Sequence, residues 1–345
     1  MSTKALAAGL AATIALAAGF HTPAMAQETE INFALDWKFE GPSAPYLLAA
    51  ERGYYEDAGL DVTIDSGNGS LEAIPRVASG TYQMGFADIN SLIKFKDQNP
   101  DLGVKAVMMV YNAPPFAIIS LAGSGIANPK DLEGKTLGAP APDGAYAQWP
   151  AFVKANEIDE SAVTIENVGF PVREPMLAQG QVDAITGFSF SSFLNLKGAG
   201  VAEDDINVML LTDYGLDLYG NAVIVNPDFA AENPEAVTAF LSATIQGLKD
   251  AIEDPEAGAA AVVARNDVAR PEIEQERLEM AIRDNFITDE VMANGFGDID
   301  EARFERSIEQ IGDTYAFENR PSVADVFTSE FLPRQEERMM MGAAQ

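Results

Sequence analysis

The sequence predicts a two-lobed α/β protein, and three observations lead to that fold class. Short apolar segments with strand character alternate with amphipathic helical segments, which is typical of βα units around mostly parallel sheets. The chain has 345 residues, more than one simple core usually supports. The βα series also occurs twice, although no exact internal repeat is visible. We therefore expect the strand ends of both halves to face a shared cleft.

The first half of the chain reads as strands and helices in alternation. Gly53 and Gly59 mark turns that end a helix and begin a strand, because glycine tolerates positive φ. The pattern predicts strands at residues 31–35, 59–64 and 84–87, and helices at residues 46–53, 71–79 and 90–98.

Two apolar strands, at residues 104–111 and 116–121, lead into the second half. Pro114 and Pro115 separate them and predict a bend, since proline cannot continue a hydrogen-bonded ladder. The later pattern predicts strands at 136–139, 163–168, 184–188, 207–211 and 222–225, helices at 146–154 and around 176–179, and a helical region after Pro227 that includes 234–252, 272–285 and 301–311.

Composition removes several classes of function. The chain carries 53 acidic against 22 basic residues, a formal charge of −31, so phosphate backbones are repelled and nucleic acid is not expected as a partner. There is no Cys, which excludes disulfides, thiolate nucleophiles and Cys-based metal sites.

The first 26 residues have the pattern of a secretory signal peptide. Lys4 precedes an apolar run at residues 5–20, and the small residues Ala24 and Ala26 fit positions −3 and −1 of a cleavage site after Ala26. The run is shorter than a membrane span needs. Cleavage there leaves 319 residues with a formal charge of −32 and predicts a periplasmic protein.

Removal of this segment also removes His21, the one histidine of the chain. The predicted exported protein then lacks both His and Cys, so Ser/His/Asp triads, Cys/His dyads and zinc hydrolases are excluded. We expect no metal and no cofactor. Chemistry by carboxylates, as in a glycosidase, stays open as an alternative.

Several motifs, in order, resemble one family. They are Glu51-Arg-Gly-Tyr-Tyr-Glu-Asp-Ala-Gly-Leu-Asp-Val62, Ala78-Ser-Gly80 leading to Gly85-Phe-Ala-Asp88, Asp131-Leu-Glu-Gly-Lys135, and Gln179-Gly-Gln-Val-Asp-Ala184. Their spacing through nearly the whole chain resembles the solute-binding proteins of ABC importers, in the branch that binds taurine, aliphatic sulfonates, nitrate and thiamine pyrimidine precursors.

The resemblance implies the type II periplasmic binding protein fold, with the ligand in the interlobe cleft. It implies closure on a small-molecule solute by a hinge, docking to the transmembrane subunits of an ABC permease, and no catalysis. We expect a monomer, with chain crossings near residues 121–126 and 213–219. The expected division is 1–26 signal peptide, 27–122 and 217–335 lobe I, 123–216 lobe II, and 336–345 a disordered tail.

Polar and aromatic residues gather in the loops at predicted strand ends, where a cleft would lie. Trp37 and Asp88 combine this position with the ligand-facing positions that the family resemblance implies, and aromatic rings offer faces for stacking. The candidate ligand-binding set is Asp36, Trp37, Phe39, Asp88, Asn90, Tyr111, Asn112, Phe116, Tyr146, Phe188, Tyr214 and Tyr219.

The charges in these loops favour a small nitrogen-containing solute. Asp36, Asp88, Asp143 and Asp213 stand against Lys38 alone, which suits an amine or an amino-pyrimidine stacked on a ring. Taurine or another sulfonate stays open, because helix N-termini bind anions through backbone amides. An exported enzyme of the same fold, resembling the thiamine-pyrimidine synthases or a carboxylate hydrolase, is the second class.

Overall fold

The computed structural model describes residues 28–340, which contain two five-stranded sheets flanked by helices. The predicted signal peptide lies outside the described residues. The strands are β1 (Thr29–Ala34), β2 (Leu60–Asp65), β3 (Met84–Asp88), β4 (Lys105–Met109), β5 (Phe116–Leu121), β6 (Thr136–Ala139), β7 (Thr164–Asn167), β8 (Ala184–Phe188), β9 (Ile206–Leu210) and β10 (Asn221–Val225).

The two sheets share one plan. The first has the order β2-β1-β3-β10-β4 and the second β7-β6-β8-β5-β9. Four strands of each sheet run in the same direction and one runs against its neighbours: β10 pairs Asn221 with Asp88 of β3, and β5 pairs Phe116 with Phe188 of β8. Both antiparallel strands directly follow a segment that links the two sheets, which explains why the sheets are mixed rather than wholly parallel.

The first crossing between the sheets lies earlier than the sequence predicts. Because β5 pairs with β8 and β9, residues 116–121 belong to the second sheet. The chain therefore crosses at 110–115, around Pro114 and Pro115, so the expected crossing at 121–126 and the lobe boundary at 122 are wrong. The return crossing lies at 211–220, between β9 and β10, and overlaps the predicted 213–219.

Helices cover both sheets, and two of them, the single turn at residues 54–57 and the helix at residues 189–198, have no counterpart in the sequence prediction. The helix at residues 189–198 was missed because its polar and apolar residues give no clear helical stripe. The helices are α1 (Ala44–Glu51), α2 (Tyr54–Asp57), α3 (Ser70–Ala78), α4 (Ile89–Gln98), α5 (Trp149–Ala155), α6 (Phe170–Ala178), α7 (Ser189–Gly198), α8 (Pro227–Glu232), α9 (Pro234–Glu253), α10 (Pro255–Val263), α11 (Pro271–Ala281), α12 (Asp289–Asn294), α13 (Glu301–Tyr315), α14 (Val323–Val326) and α15 (Gln335–Arg338).

The end of the chain is ordered as far as the structure describes it, which corrects the predicted tail at 336–345. Arg338 is buried and donates hydrogen bonds to the carbonyls of Phe296 and Pro333, at 2.7 and 3.0 Å. Residues 341–345 lie outside the described part.

Buried side chains form one large cluster around the first sheet, a second that reaches both sheets, and a smaller third on the second sheet. In the first, the Phe33 ring lies 4.9 Å from Tyr46 and 5.0 Å from Phe240. The second joins Ile224 of β10 to Ile118 of β5 and to Trp149. Within residues 28–340, no helix combines the length and apolar character that crossing a bilayer requires.

Candidate functional site

A cavity lies where the strand ends of the two sheets face each other. It encloses about 630 Å³ free of protein atoms, open solvent at its mouth included. Both sheets and the loops and helices at their edges contribute to its wall. The lining residues are Leu35, Asp36, Trp37, Lys38, Glu40, Pro42, Ser43, Tyr46, Gly69, Ser70, Phe86, Tyr111, Asp143, Gly144, Phe170, Arg173, Phe188, Phe190 and Ser191.

Aromatic rings form much of this wall and meet across the cleft. Trp37, after β1, packs edge-to-face on Phe170 at the start of α6, with 4.5 Å between ring centroids. Tyr111, after β4, lies 6.3 Å from Phe188 and 6.0 Å from Phe190, also at steep angles. Such a wall suits a flat ligand, since its rings can offer faces and edges to a planar ring.

Two polar atoms in the aromatic part of the wall lack partners. Within residues 28–340, the Trp37 indole N–H and the Tyr46 hydroxyl are buried and make no hydrogen bond. Buried polar groups are nearly always paired with protein, water or ligand. These two atoms are therefore the clearest sign of where a ligand's polar edge would bind.

Asp36 places a carboxyl in the same wall, two residues after the end of β1 at Ala34. Its Oδ2 accepts hydrogen bonds from Ser70 Oγ at 2.8 Å and Asn221 Nδ2 at 2.6 Å. Burial raises the pKa of Asp36 to about 7, against the lowering effect of these bonds. The carboxyl can thus either donate or accept a hydrogen bond near neutral pH.

The second lobe contributes an arginine that the loop-by-loop charge count missed. Arg173 lies on α6, and its buried guanidinium bonds Glu174 at 2.6 Å and approaches Asp143 at 3.4 Å. Its NH2 group also donates to Ser192 Oγ at 3.2 Å. Lys38 is the lone cation of the predicted strand-end loops, but Arg173 adds a second cation to the cavity wall from a helix, and its donors are occupied by the acids and Ser192.

Asp88, a strong sequence candidate, lies outside the cavity wall. It caps α4: its oxygens accept from the Asn90 and Ser91 amides at 3.0 and 2.8 Å. Across the cleft, Gln148 Nε2 donates to Asp88 Oδ2 at 2.9 Å. Burial raises the pKa of Asp88 to about 6. The side chain serves helix capping and interlobe contact, and Gly144 packs over it.

Four of the twelve predicted residues line the cavity, and eight do not. Asp36, Trp37, Tyr111 and Phe188 form part of the wall. The others make contacts outside the wall. The Arg265 guanidinium lies over the Phe39 ring, Phe116 packs against Phe188, and Tyr146 and Tyr214 pack in the second core cluster. Asn90 donates hydrogen bonds to Asp88 and to the Tyr219 carbonyl, and the side chains of Asn112 and Tyr219 donate to Glu290.

Most of the cavity wall consists of residues that the sequence pattern did not single out. Ser43, Tyr46, Ser70 and Phe170 lie at or near helix starts, which the strand-end criterion did not search. Glu40, Gly69, Gly144, Phe190 and Ser191 also line the cavity. The sequence signal that could have located this wall is the segment after β1, where residues 36–46 combine three aromatic side chains, two acids and two prolines.

The lobes touch at several further points around the cavity. Ser191 Oγ donates to Glu40 Oε2 at 2.7 Å, and Lys197 pairs with Glu276 at 2.7 Å. Among residues 28–340, no group of three or more His, Cys, Asp or Glu side chains is arranged to hold a metal ion. The residues that line the cavity offer stacking and hydrogen bonding.

Residues 41–258 match the family described as "NMT1/THI5 like". The match covers more than half of the chain, so the chain belongs to this family. The family segment includes both sheets except β1, together with most of the cavity wall.

Similar proteins include named solute-binding proteins and named enzymes. The chain is 30% identical to "Riboflavin-binding protein RibY" of Chloroflexus aurantiacus over 62% of this chain and 60% of that protein, less than two thirds of its length. It is 27% identical to "Formylaminopyrimidine-binding protein" of Halalkalibacterium halodurans, over 87% and 89%. A "4-amino-5-hydroxymethyl-2-methylpyrimidine phosphate synthase" of Schizosaccharomyces pombe is 26% identical, over 66% of each chain.

Solved structures share the fold. The alkanesulfonate-binding protein SsuA from Xanthomonas axonopodis pv. citri, bound to MOPS, superimposes with a TM-score of 0.67 over 88% of this chain and 99% of that one, at 14% identity. The predicted fold class, two α/β lobes of the periplasmic binding protein type, is confirmed.

Proposed function

We propose that this protein is the extracytoplasmic solute-binding receptor of an ABC importer and that its solute is a planar nitrogen heterocycle. The observation that carries the proposal is the interlobe cavity, with facing aromatic rings and the unpartnered Trp37 N–H and Tyr46 hydroxyl. The names of the similar riboflavin-binding and formylaminopyrimidine-binding proteins support this choice of ligand class.

The heterocycle would lie between the rings and bond through its edge. Trp37 Nε1 donates to a ring nitrogen or carbonyl, and the Tyr46 hydroxyl donates or accepts. Asp36 accepts from an exocyclic amino group when ionised and donates when protonated, and burial brings the pKa of Asp36 to about 7. A free sulfonate or taurine fits the inner cavity less well, because Arg173 already donates to Glu174, Asp143 and Ser192.

Capture would proceed by closure about the two crossings at 110–115 and 211–220. The closed form has contacts across the cleft, among them Trp37 with Phe170 and Gln148 with Asp88. A ligand between the rings adds contacts to both lobes at once and so favours this form. The closed receptor would then dock as a monomer on the permease's transmembrane subunits, after export to the periplasm with cleavage after Ala26.

The test is a thermal-shift and calorimetric screen of the purified protein. Riboflavin, formylaminopyrimidine and other flat heterocycles are compared with taurine, an alkanesulfonate and nitrate. A heterocycle at 100 times its dissociation constant is expected to add about 2.7 kcal/mol to the free energy of unfolding. Stabilisation by the anions and by none of the rings contradicts the proposed ligand class.

An enzyme of the same fold is the second candidate, favoured by the similar proteins named as synthases. Incubation of each stabilising ligand with the protein, followed by mass spectrometry, separates the two. A receptor returns its ligand unchanged, whereas any product formed in proportion to protein concentration supports the enzyme.

A further inference from the structure

A second, outer crevice continues from the cavity between the lobes. It encloses about 980 Å³ free of protein atoms, open solvent included, and it shares Lys38, Glu40 and Phe170 with the inner cavity. Because the same three residues line both, the two spaces lie side by side. A solute seated on Trp37 therefore has room for a substituent that extends outward.

The crevice has one wall from each lobe. Helices α6 and α7 form one side, and α11 with the loop at 264–270 forms the other. The guanidinium of Arg270 reaches the opposite wall at Gly198, where an added Cβ would lie 3.1 Å from its NH2 group. A group bound here would contact both lobes, as a ligand that favours closure must.

The exposed charges of the crevice are positive in a chain with a formal charge of −31. Its acids are buried and bonded: Glu40 and Glu274 to Arg277, and Glu174 to Arg173. Lys38 and Arg270 are exposed, and within residues 28–340 neither has a carboxylate oxygen within 4 Å. An incoming solute therefore meets two cations without acidic partners.

Backbone and buried side chains add donors to the same place. Helices α6 and α11 both begin at the crevice, after Gly169 and Arg270, and neither start is capped by a side chain. The Nε–H of Arg277, itself buried, lies 3.2 Å from a Glu274 oxygen without donating a hydrogen bond. Uncapped helix starts bind oxyanions through backbone amides, and the exposed guanidinium of Arg270 adds side-chain donors that have no carboxylate partner among the described residues.

We propose that the solute has two parts: a planar heterocycle in the inner cavity and an oxyanion-bearing substituent, such as a phosphate, in the outer crevice. Lys38 and Arg270 hold the oxyanion from the first lobe, and the start of α6 faces it from the second. This inference rests on the proposed function and adds a second subsite to it.

The test compares each heterocycle with its own phosphate ester by calorimetry: riboflavin with riboflavin 5′-phosphate, and hydroxymethylpyrimidine with its phosphate. In the unsubstituted protein the ester should bind about tenfold tighter than the parent. In Arg270→Gln, at a residue that lines the outer crevice and not the inner cavity, the ratio should fall while the parent's affinity stays unchanged, and in Lys38→Gln/Arg270→Gln the two affinities should become equal. Lys130→Gln, which removes an exposed charge from a residue that lines neither space, should keep the tenfold ratio.

The outcomes separate this inference from the proposed function. An ester that binds no tighter than its parent, or a tenfold ratio that survives in the double variant, overturns the outer subsite and leaves the heterocycle receptor intact. Absence of binding by every ring and every ester overturns both. Added salt should lower the ratio in the unsubstituted protein, since ions screen exposed charges.

Discussion

Residues 69–98 and residues 169–198 build facing walls of the cleft on the same plan. Each segment begins at a glycine and continues as a helix that contains a proline, a turn at a second glycine, a strand, and a second helix. Each element of the first segment has a counterpart 100 residues later in the second: α3 corresponds to α6, β3 to β8, and α4 to α7. Three residue pairs follow the same spacing, namely Gly69 and Gly169, Pro75 and Pro175, and Gly80 and Gly180.

The difference between them lies at the last residue of the strand. In the first lobe this is Asp88, which caps α4 and bonds Gln148. In the second it is Phe188, which makes no side-chain cap and lines the cavity. The same backbone position thus serves stability in one lobe and the ligand wall in the other, so a strand-end position does not by itself identify a binding residue.

The equivalent glycines give the largest expected effect. Gly69 has a φ of 108°, and a Cβ there would lie 2.3 Å from the Pro142 carbonyl oxygen of the other lobe. Gly69→Ala should therefore weaken ligand binding by more than about 3 kcal/mol, because the closed form cannot form without strain. Titration calorimetry gives the affinity, and small-angle scattering with and without ligand gives the closure.

Gly169→Ala is the matched control in the second lobe. Gly169 has an ordinary φ of −79°, and the nearest atom to an added Cβ, Pro171 Cδ, is 3.7 Å away. We expect affinity and ligand-induced compaction to be retained. Equal losses in both variants contradict the argument that Gly69 permits closure.

Replacement of the strand-end residues tests the division of roles directly. Asp88→Ala removes the α4 cap and leaves buried donors of Asn90 and Ser91 unpaired, so it should lower the free energy of unfolding by about 3 kcal/mol. Phe188→Ala should instead show its main effect on affinity. Urea unfolding and calorimetry on both variants measure the two quantities, and the reverse assignment of effects contradicts the comparison.

Much of the fold could be predicted from the sequence because strands and helices carry local signals. The predicted strand at 116–121 has the observed bounds, and Pro114 and Pro115 mark the observed crossing. Which sheet that strand joins depends on pairing with β8, a contact distant in sequence that no local pattern records. Helix α7 also depends on contacts distant in sequence, because packing against the second sheet and against α6 and α11 stabilises it, and its own sequence shows no clear helical stripe.

The site was harder to predict, because a wall is made of residues from distant segments. Trp37 and Asp36 were found from their place after β1. Tyr46 and Arg173 lie on helices, and only the packing of the two lobes brings them to the same cavity. For Asp88, both its position at the end of a strand and the family resemblance predicted a ligand contact. Its carboxylate oxygens instead accept hydrogen bonds from the first amides of α4, the helix that it caps.

The two rings that meet across the cleft should give effects of intermediate size. Trp37→Ala removes a ring and an indole N–H from the first lobe, and we expect binding to weaken by about 2 kcal/mol. Phe170→Ala removes a ring alone and should cost less. Trp149→Phe, at a tryptophan outside the cavity wall, should leave affinity unchanged.

Fluorescence provides a second measure of the same contact, because the chain has two tryptophans. A ring stacked on Trp37 should quench emission in the unsubstituted protein and in Trp149→Phe, and should not in Trp37→Ala. Quenching that disappears only with Trp149 places the ligand away from Trp37.

The smallest expected effect, taken over a single pH unit, is a dependence of stability on pH that the two buried carboxyls of the first lobe produce. Burial raises the pKa of Asp36 to about 7 and that of Asp88 to about 6, from a usual value of 3.8. Between those values the folded protein holds protons that the unfolded chain has released. The stability that these groups contribute is therefore fully present below about pH 4 and declines as pH rises toward 7.

Above pH 6 the remaining decline belongs mainly to Asp36, which separates the two groups. Asp36→Asn should therefore flatten the stability curve between pH 6 and 7, where one carboxyl accounts for at most about 1.4 kcal/mol per pH unit. Urea unfolding of the ligand-free protein at closely spaced pH values measures this slope. Because Asn keeps a side-chain oxygen that can accept from Ser70 and Asn221, the fold should persist. A slope that is unchanged in Asp36→Asn, and lost instead in Asp88→Asn, assigns the upper titration to the helix cap rather than to the cavity wall.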